Sequence, residues 1–214
     1  MKGALASYDR VLRQAARSQS TPIDLVNHTG TALARLDASH WYADPRPGDD
    51  ALIGACDSHT LDVGCGPGRL VAALLRRGVP ALGIDISAEA VRQAVSRGAP
   101  ALLGDVFGDI PGSGRWHHIL LADGNIGIGG DPVRLLRRCG TFLAPGASLV
   151  CEVGSPGSGT WRSQVRLSHN GRLSAAFWWA AIAADDLDAV VTAAGMRVRR
   201  KWTQEGRWFA CCVV

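Results

Sequence analysis

The amino-acid sequence predicts an α/β protein built on a doubly wound, mostly parallel seven-stranded sheet with an antiparallel last strand and helices on both faces. Two observations support this fold class. Between residues 59 and 153, short apolar segments alternate with amphipathic helical segments, which is typical of a parallel sheet covered on both sides. The two apolar segments nearest the carboxyl terminus are joined only by residues 203–206, and so short a link permits antiparallel pairing alone.

Length and composition indicate one cytoplasmic domain. The chain has 214 residues, 47% of them hydrophobic and 20% charged, and no apolar run is long enough for a transmembrane helix or a signal peptide. The net charge of +4 comes from arginines scattered along the chain, whereas a nucleic-acid footprint concentrates basic residues on one element. The six cysteines lack the spacing of zinc ligands, so we expect reduced thiols and no metal.

We predict that the first 58 residues form a helical segment. One apolar helix face is formed by residues at three-to-four spacing, Leu5, Tyr8, Leu12 and Ala15. Thr21 before Pro22 has the pattern of an N-cap followed by a first-turn proline, which predicts a second helix extending to about Asp37. Prolines and a glycine predict a loop over His40–Gly48, and a short helix begins at Asp49.

Residues 59–214 are predicted to contain the sheet. Its first five strands are Thr60–Val63, Pro80–Asp85, Ala101–Leu103, His118–Ala122 and Ser148–Val153. Helices begin near Leu70, Ser87 and Asp131, and a fourth covers Asp185–Ala194. The turn sequence His169-Asn170-Gly171 predicts a β-hairpin insertion at about residues 161–179. The closing strands are Met196–Trp202 and Arg207–Val214.

The most informative stretch is the glycine-rich turn Gly64-Cys65-Gly66-Pro67-Gly68, which follows a buried strand and precedes a helix. Such a turn lets the backbone approach a ligand closely at the positive end of the helix. Asp62 lies just before the turn, and Asp85 and Asp105 end the next two strands. Because the carboxyl ends of neighbouring strands meet at one crevice, Asp85 can reach a ribose there and Asp105 an adenine amino group.

The region from residue 59 to 153 resembles the core of the class I S-adenosylmethionine-dependent methyltransferases. The motifs that occur in that family's order are the glycine-rich turn, Gly83-Ile84-Asp85-Ile86-Ser87, Gly104-Asp105-Val106 and Leu143-Ala144-Pro145-Gly146. The resemblance implies a Rossmann-like bacterial enzyme that transfers a methyl group from S-adenosylmethionine to a small molecule. The cofactor-binding residues that it implies are Asp62, Gly64, Cys65, Gly66, Gly68, Asp85, Ile86, Asp105, Val106 and Asp123.

The sequence says less about the acceptor of the methyl group. Family members that act on bases and glutamine amides share an Asn/Asp-Pro-Pro-aromatic sequence after the fourth strand. This chain has Asp123-Gly124-Asn125 there, which argues against those acceptors. Asp123 and Asn125 are candidates for catalytic contacts, and the alternative is that they only adopt unusual turn angles. His40 is a candidate general base, and the alternative is a solvated loop residue.

Aromatic residues near the expected crevice are candidates for the acceptor pocket. In the family, N-terminal helices often form a lid, so Trp41 and Tyr42 are candidate pocket walls and Arg46 a candidate partner of the methionine carboxylate. Trp178 and Trp179 end the predicted hairpin, where they either line the pocket or cover the core.

Other functions remain open at this point. The same crevice suits an NAD(P)-dependent oxidoreductase, although Arg69 takes the place of the third glycine of the dinucleotide fingerprint. A non-catalytic S-adenosylmethionine-binding module and an RNA methyltransferase are further alternatives, the last being disfavoured by the scattered arginines. We expect a monomer or homodimer with no membrane partner.

Overall fold

Twelve strands and six α-helices make up the part of the chain that the computed structural model describes, which is residues 2–18, 20–42 and 46–214. The strands are β1 (Pro22–Val26), β2 (Ala32–Asp37), β3 (Thr60–Val63), β4 (Ala81–Asp85), β5 (Ala101–Leu103), β6 (Trp116–Leu121), β7 (Leu143–Val153), β8 (Trp161–His169), β9 (Arg172–Leu173), β10 (Phe177–Ala181), β11 (Arg197–Gln204) and β12 (Arg207–Val213). The helices are α1 (Lys2–Ala15), α2 (Asp49–Ile53), α3 (Arg69–Arg76), α4 (Ala88–Ser96), α5 (Pro132–Gly140) and α6 (Leu187–Ala193).

Seven strands form the larger sheet, in the order β11-β12-β7-β6-β3-β4-β5. β12 is antiparallel to both of its neighbours, and the remaining neighbours run parallel. The predicted seven-stranded, mostly parallel sheet with an antiparallel last strand is therefore confirmed. The strand order reverses between β3 and β6, and sheets of this kind bind ligands in the crevice at the carboxyl ends of such strands.

Helices cover both faces of the larger sheet. On one face, α5 and α6 bury Leu135 and Leu187, and on the other, α2 and α3 bury Leu52 and Leu74. All four side chains of β3 are buried, as expected for a central strand between two helical layers. Within the described residues, no helix is long and apolar enough to cross a membrane.

The N-terminal segment departs from the sequence prediction. α1 lies where the first helix is predicted, but the predicted helix over residues 22–37 is wrong, because β1 and β2 form an antiparallel hairpin there. The Asn27 side chain closes this hairpin by accepting a hydrogen bond from the N–H of Thr31 at 2.9 Å. Pro22 is tolerated as the first strand residue, and β-branched Ile23 and Val26 favour a strand. Of the predicted loop His40–Gly48, residues 43–45 lie outside the described part of the chain.

A second sheet, β10-β8-β1-β2, joins this N-terminal hairpin to the region where the insertion at about 161–179 is predicted. β8 pairs antiparallel with β1 on one side and with β10 on the other. β9 pairs with the end of β8 across a turn in which Asn170 and Gly171 have φ of 48° and 71°. α1 packs on this second sheet by burying Val11 and Ala15 against β1 and β8.

The turn after β6 fastens the second sheet to the larger one. Residues 125–130 form a 3₁₀ turn that packs against β10. A Cβ atom on Gly127 would lie 1.9 Å from the Ala180 carbonyl oxygen and 2.9 Å from the indole nitrogen of Trp179. No side chain fits in that space, so glycine at this position sets the distance between the two sheets.

We predict that Gly127→Ala lowers the free energy of unfolding by about 3 kcal/mol or more, because overpacking at a rigid backbone contact has no flexible neighbour to absorb it. Gly140→Ala is the matched control, since the nearest atom to a Cβ there lies 4.0 Å away. Alanine in that helical position should be neutral or stabilising by about 0.5–1 kcal/mol. Urea denaturation measures both variants, and equal stabilities would contradict the proposed contact.

Candidate active site

The glycine-rich turn forms the crevice at the carboxyl ends of β3 and β4. The backbone N–H groups of Gly64 and Cys65 both donate to the Ile84 carbonyl oxygen, at 2.9 and 3.0 Å, which ties the turn to β4. Gly64 has a φ of 75°, and a Cβ atom there would lie 2.7 Å from the amide nitrogen of Asn125. Both the backbone angle and the close approach require glycine.

Asp85 ends β4 and is fixed by two backbone donors. The N–H of Gly66 donates to Oδ2 at 2.9 Å, and the N–H of Ser87 donates to Oδ1 at 2.8 Å. Ser87 is also the N-cap of α4, where its hydroxyl accepts a hydrogen bond from the N–H of Ala90 at 3.0 Å. Burial raises the pKa of Asp85 to about 6, against the effect of the two N–H groups. Each carboxylate oxygen keeps a lone pair with which to accept a ligand hydroxyl.

Asp62, in β3, is buried without a hydrogen-bond partner for its carboxyl group among the described residues. Burial raises the pKa of Asp62 to about 7. The positive charge of Arg69 opposes this shift, and the negative charges of Asp123 and Asp85 add to it. Asp62 is therefore the one acid of this edge that combines near-complete burial with free acceptor atoms in the described structure.

Three arginines and three carboxylates form a buried ion network next to the crevice, which we call the arginine network: Arg46, Arg69, Arg207, Asp49, Asp123 and Glu152. Arg69 bridges Asp49 and Asp123, with its Nη2 atom 2.5 Å from Asp123 Oδ2. Arg207 bridges Asp49 and Glu152, at 2.9 and 2.7 Å. The network thereby joins α2, α3, β7, β12 and the turn after β6.

The charges of the arginine network compensate one another in a dry environment. The side chains of Arg69, Arg207 and Asp49 are 4%, 8% and 0% exposed. Burial alone would raise the pKa of Asp49, but hydrogen bonds and charge from Arg69 and hydrogen bonds from Arg207 bring it below its usual range. Asp49 therefore stays ionised, whereas Asp62 in the same region is close to half-protonated at neutral pH.

The two sequence candidates on the turn after β6 both make contacts within the protein. Asp123 has a φ of 52°, and its N–H donates to Glu152 Oε2 at 2.8 Å. Its carboxylate also pairs with Arg46 at 2.9 Å. The Asn125 amide donates to the carbonyl oxygens of Val63 and Gly64, at 3.0 and 2.9 Å. Asn125 thus holds the glycine-rich turn in place.

The residues predicted to contact adenine lie at the same edge of the sheet, after β4 and β5. Ile86 is 42% exposed, which is unusual for a large apolar side chain beside a buried carboxylate. Asp105 is exposed, and its Oδ1 accepts a hydrogen bond from the N–H of Phe107 at 2.9 Å. Val106 is buried.

His40, Trp41 and Tyr42 lie in and after a 3₁₀ turn, and only the two aromatic residues pack toward α1. The ring of His40 is exposed. Trp41 contacts Tyr8 of α1 edge to face, with ring centroids 5.8 Å apart. The Tyr42 hydroxyl donates to the Leu12 carbonyl oxygen at 2.7 Å, so Tyr42 joins α1 to the rest of the protein.

Trp178 and Trp179 point to opposite sides of β10. Trp178 is 46% exposed, and the guanidinium of Arg162 lies 4.8 Å from its ring centroid. Trp179 packs edge to face on Phe177, at 6.1 Å, with its indole nitrogen beside Gly127. Of the two, Trp179 is the one directed toward the turn after β6.

The sequence analysis missed Asp49, Glu152 and Arg207. Glu152 lies near the carboxyl end of β7, so the rule that selected Asp85 also selects it. Arg207 lies 158 residues from its partner Asp49 along the chain, and no local pattern signals such a pair. In the described ranges, no group of three or more His, Cys, Asp or Glu side chains is arranged to hold a metal ion.

Cleft shape alone does not identify this site. A cleft of about 360 Å³ lies between α1 and the tip of β8 and β9, and one of about 280 Å³ lies beside Tyr42 and Arg97. Neither is lined by Asp62, Asp85 or Asp123. Glycine geometry and buried charge, which are the features that ligand chemistry requires, distinguish the crevice instead.

The region around this crevice is similar to a known protein family. Residues 60–146 match a family described as a methyltransferase domain. That span contains the glycine-rich turn and Asp62, Asp85, Asp105 and Asp123. No curated protein matches the sequence.

Several solved structures with the same fold are methyltransferases of low sequence identity. A methyltransferase from Bacteroides fragilis in complex with S-adenosylhomocysteine is 18% identical, with a TM-score of 0.76 over 100% of this chain and 95% of that chain. The 1,6-didemethyltoxoflavin-N1-methyltransferase of Burkholderia thailandensis is 17% identical, with a TM-score of 0.59 over 98% and 89%. The glycopeptide N-methyltransferase MtfA, complexed with S-adenosylmethionine, is 13% identical, with a TM-score of 0.61 over 81% and 95%.

We predict that Asp62→Asn changes how stability depends on pH. The folded-state pKa of Asp62, about 7, lies above the unfolded value of about 4, so the wild type loses stability relative to the variant as pH rises from about 4 to 7. Each unit of pKa difference corresponds to about 1.4 kcal/mol. Urea denaturation at pH 5 and pH 8 measures this, with the exposed Asp109→Asn as control. The prediction would be contradicted if the free energies of unfolding of wild type and Asp62→Asn differed by the same amount at both pH values.

Proposed function

We propose that this chain, whose residues 60–146 match a methyltransferase domain, binds S-adenosylmethionine in the crevice and transfers its methyl group to a small-molecule acceptor. The observation that carries the proposal is the placement of Asp85. Its carboxylate is fixed between the glycine-rich turn and the N-cap of α4, where it can accept hydrogen bonds from both hydroxyls of a ribose.

Few atoms crowd the backbone of the glycine-rich turn at Gly66. Within the described residues, a Cβ atom on Gly66 would have one heavy atom within 4 Å, the Tyr8 hydroxyl oxygen at 3.7 Å. The exposed face of Ile86 supplies an apolar surface for an adenine ring, and Asp105 stands at the next strand end to accept from an amino group. These residues would hold the nucleoside, with Val106 beneath it.

The opposite end of the crevice offers charges for the amino-acid part of the cofactor. Arg46 and Asp123 pair with each other at 2.9 Å, and their side chains are 28% and 16% exposed. A zwitterionic amino acid presents a carboxylate and an ammonium group, which match Arg46 and Asp123 respectively. Asp62, with free acceptor atoms, lies between this pair and the glycine-rich turn. We infer that these three residues would recognise the methionine end.

The transferred methyl group is already activated on the sulfonium of the cofactor when bound. The residues of this chain then align the acceptor and exclude water. The second sheet and α1 share a core of apolar and aromatic side chains, which includes Trp41, Trp161 and Trp179. We propose that residues 1–58 and the β8–β10 insertion together form the acceptor side of the site.

The acceptors of structurally similar methyltransferases support an acceptor of low molecular weight for this chain. The Burkholderia thailandensis enzyme was crystallised with the small molecule 1,6-didemethyltoxoflavin, and MtfA acts on a glycopeptide. The arginines are spread over several elements of the fold, which gives a nucleic acid no continuous path.

We predict that calorimetry detects micromolar binding of S-adenosylmethionine and that Asp85→Ala weakens it about 10- to 100-fold. The reason is that a hydrogen bond to a charged group contributes about 1.5–3 kcal/mol. Asp109→Ala, at an exposed position, is the control. Wild-type protein that binds NADH and neither S-adenosylmethionine nor its demethylated product would overturn the proposed function. Binding without methyl transfer to any of a panel of acceptors would indicate a non-catalytic module.

We predict that Arg46→Gln weakens binding of the amino-acid half of the cofactor and leaves binding of the nucleoside half unchanged. The variant should bind S-adenosylhomocysteine about tenfold more weakly, because it loses a charged partner for the carboxylate. It should bind 5′-methylthioadenosine, which has no amino-acid part, as well as the wild type does. Calorimetry with both ligands measures this, and an equal loss for both would place Arg46 away from the methionine end.

A further inference from the structure

α1 lies across the crevice, and one of its side chains reaches the glycine-rich turn. The Tyr8 hydroxyl oxygen would be 3.7 Å from a Cβ atom on Gly66, the residue whose N–H holds Asp85. The Tyr8 ring is fixed by its edge-to-face contact with Trp41. The phenol thus extends from the core of the second sheet to the glycine-rich turn that holds Asp85.

The Tyr8 hydroxyl has no hydrogen-bond partner among the described residues. Tyr8 is half-buried, and its hydroxyl oxygen is not among the fully buried unpaired atoms, so it can face the crevice and take a ligand in place of water. Burial, and next to it the charge of Asp85, raises the pKa of Tyr8, so the phenol keeps its proton and is a donor. A donor next to the glycine-rich turn, with no protein acceptor among the described residues, points to a ligand acceptor.

A second contact fixes the position of α1 at this point. The Ser87 hydroxyl donates to Asp9 Oδ1 at 2.6 Å. Ser87 is the residue that caps α4 and donates its N–H to Asp85. Tyr8 and Asp9 are adjacent on α1, so this hydrogen bond ties the position of the phenol to the same residues that hold the carboxylate.

We propose that Tyr8 is a ribose-binding residue of the cofactor site and that the Asp9–Ser87 hydrogen bond is what positions it, an inference that rests on the proposed function. A ribose hydroxyl can donate one hydrogen bond and accept another. Asp85 accepts and Tyr8 donates, so the two residues together are complementary to one diol. α1 is then a wall of the cofactor site as well as a part of the second sheet.

The test is calorimetry of Tyr8→Phe with S-adenosylhomocysteine and 5′-methylthioadenosine. Because both ligands contain the ribose, both should bind about five- to tenfold more weakly, by the same factor. A loss confined to S-adenosylhomocysteine would move the contact to the amino-acid end and overturn the assignment, and so would no loss for either ligand. Wild-type protein that binds neither ligand would refute the proposed function itself, which is a separate result.

Asp9→Ala tests the positioning role. Because Asp9 acts through Tyr8, the variant should bind both ligands more weakly. The double variant with Tyr8→Phe should bind them no more weakly than the weaker-binding single variant does. Additive losses would show that Asp9 does not act by placing Tyr8. Arg13→Gln is the matched control, since Arg13 pairs with Glu89 at 3.5 Å on the same helix and interface but away from the turn. It should leave both affinities unchanged.

Discussion

The arginine network is the constraint on which the rest of the site depends. Arg69 bridges two carboxylates and Arg207 bridges three, and Asp49 at their centre has no exposed surface. Removing one partner of such a pair leaves an uncompensated buried charge, at a cost of about 3–5 kcal/mol. The carboxyl edge of the larger sheet therefore forms a rigid floor, on which the glycine-rich turn and the turn after β6 are held at a fixed spacing.

The acids at this edge of the sheet fall into two groups that differ in the direction of their pKa shift. Asp49 is surrounded by donors that lower its pKa, and it serves the structure. Asp62 and Asp85 are buried with fewer compensating charges. Burial therefore raises the pKa of Asp62 to about 7 and the pKa of Asp85 to about 6. A ligand that brings hydrogen-bond donors would relieve this unfavourable burial, which supports the binding role proposed for these two residues.

Local sequence patterns were enough to predict the seven-stranded sheet and to place Asp62, Asp85 and Asp105 near the carboxyl ends of its strands. Alternating strands and helices, and acids at strand ends, are recognisable within a few residues. These patterns failed where structure depends on distant partners. Thr21-Pro22 carries a helix-start signal, yet β1 is a strand that pairs with β2 in a hairpin and also with the distant residues 166–168 of β8. Arg207 and Asp49 could not be paired in advance for the same reason.

The central position of β8 in the second sheet has a consequence for synthesis of the protein. β1 and β2 emerge from the ribosome first, but the edge of β1 that receives β8 stays without its partner until the chain has grown past residue 168. During that interval the nascent chain displays an open strand edge next to apolar Ile23 and Leu25, which is a template for aggregation. Cellular yield is therefore expected to depend on how quickly the second half of the chain is translated.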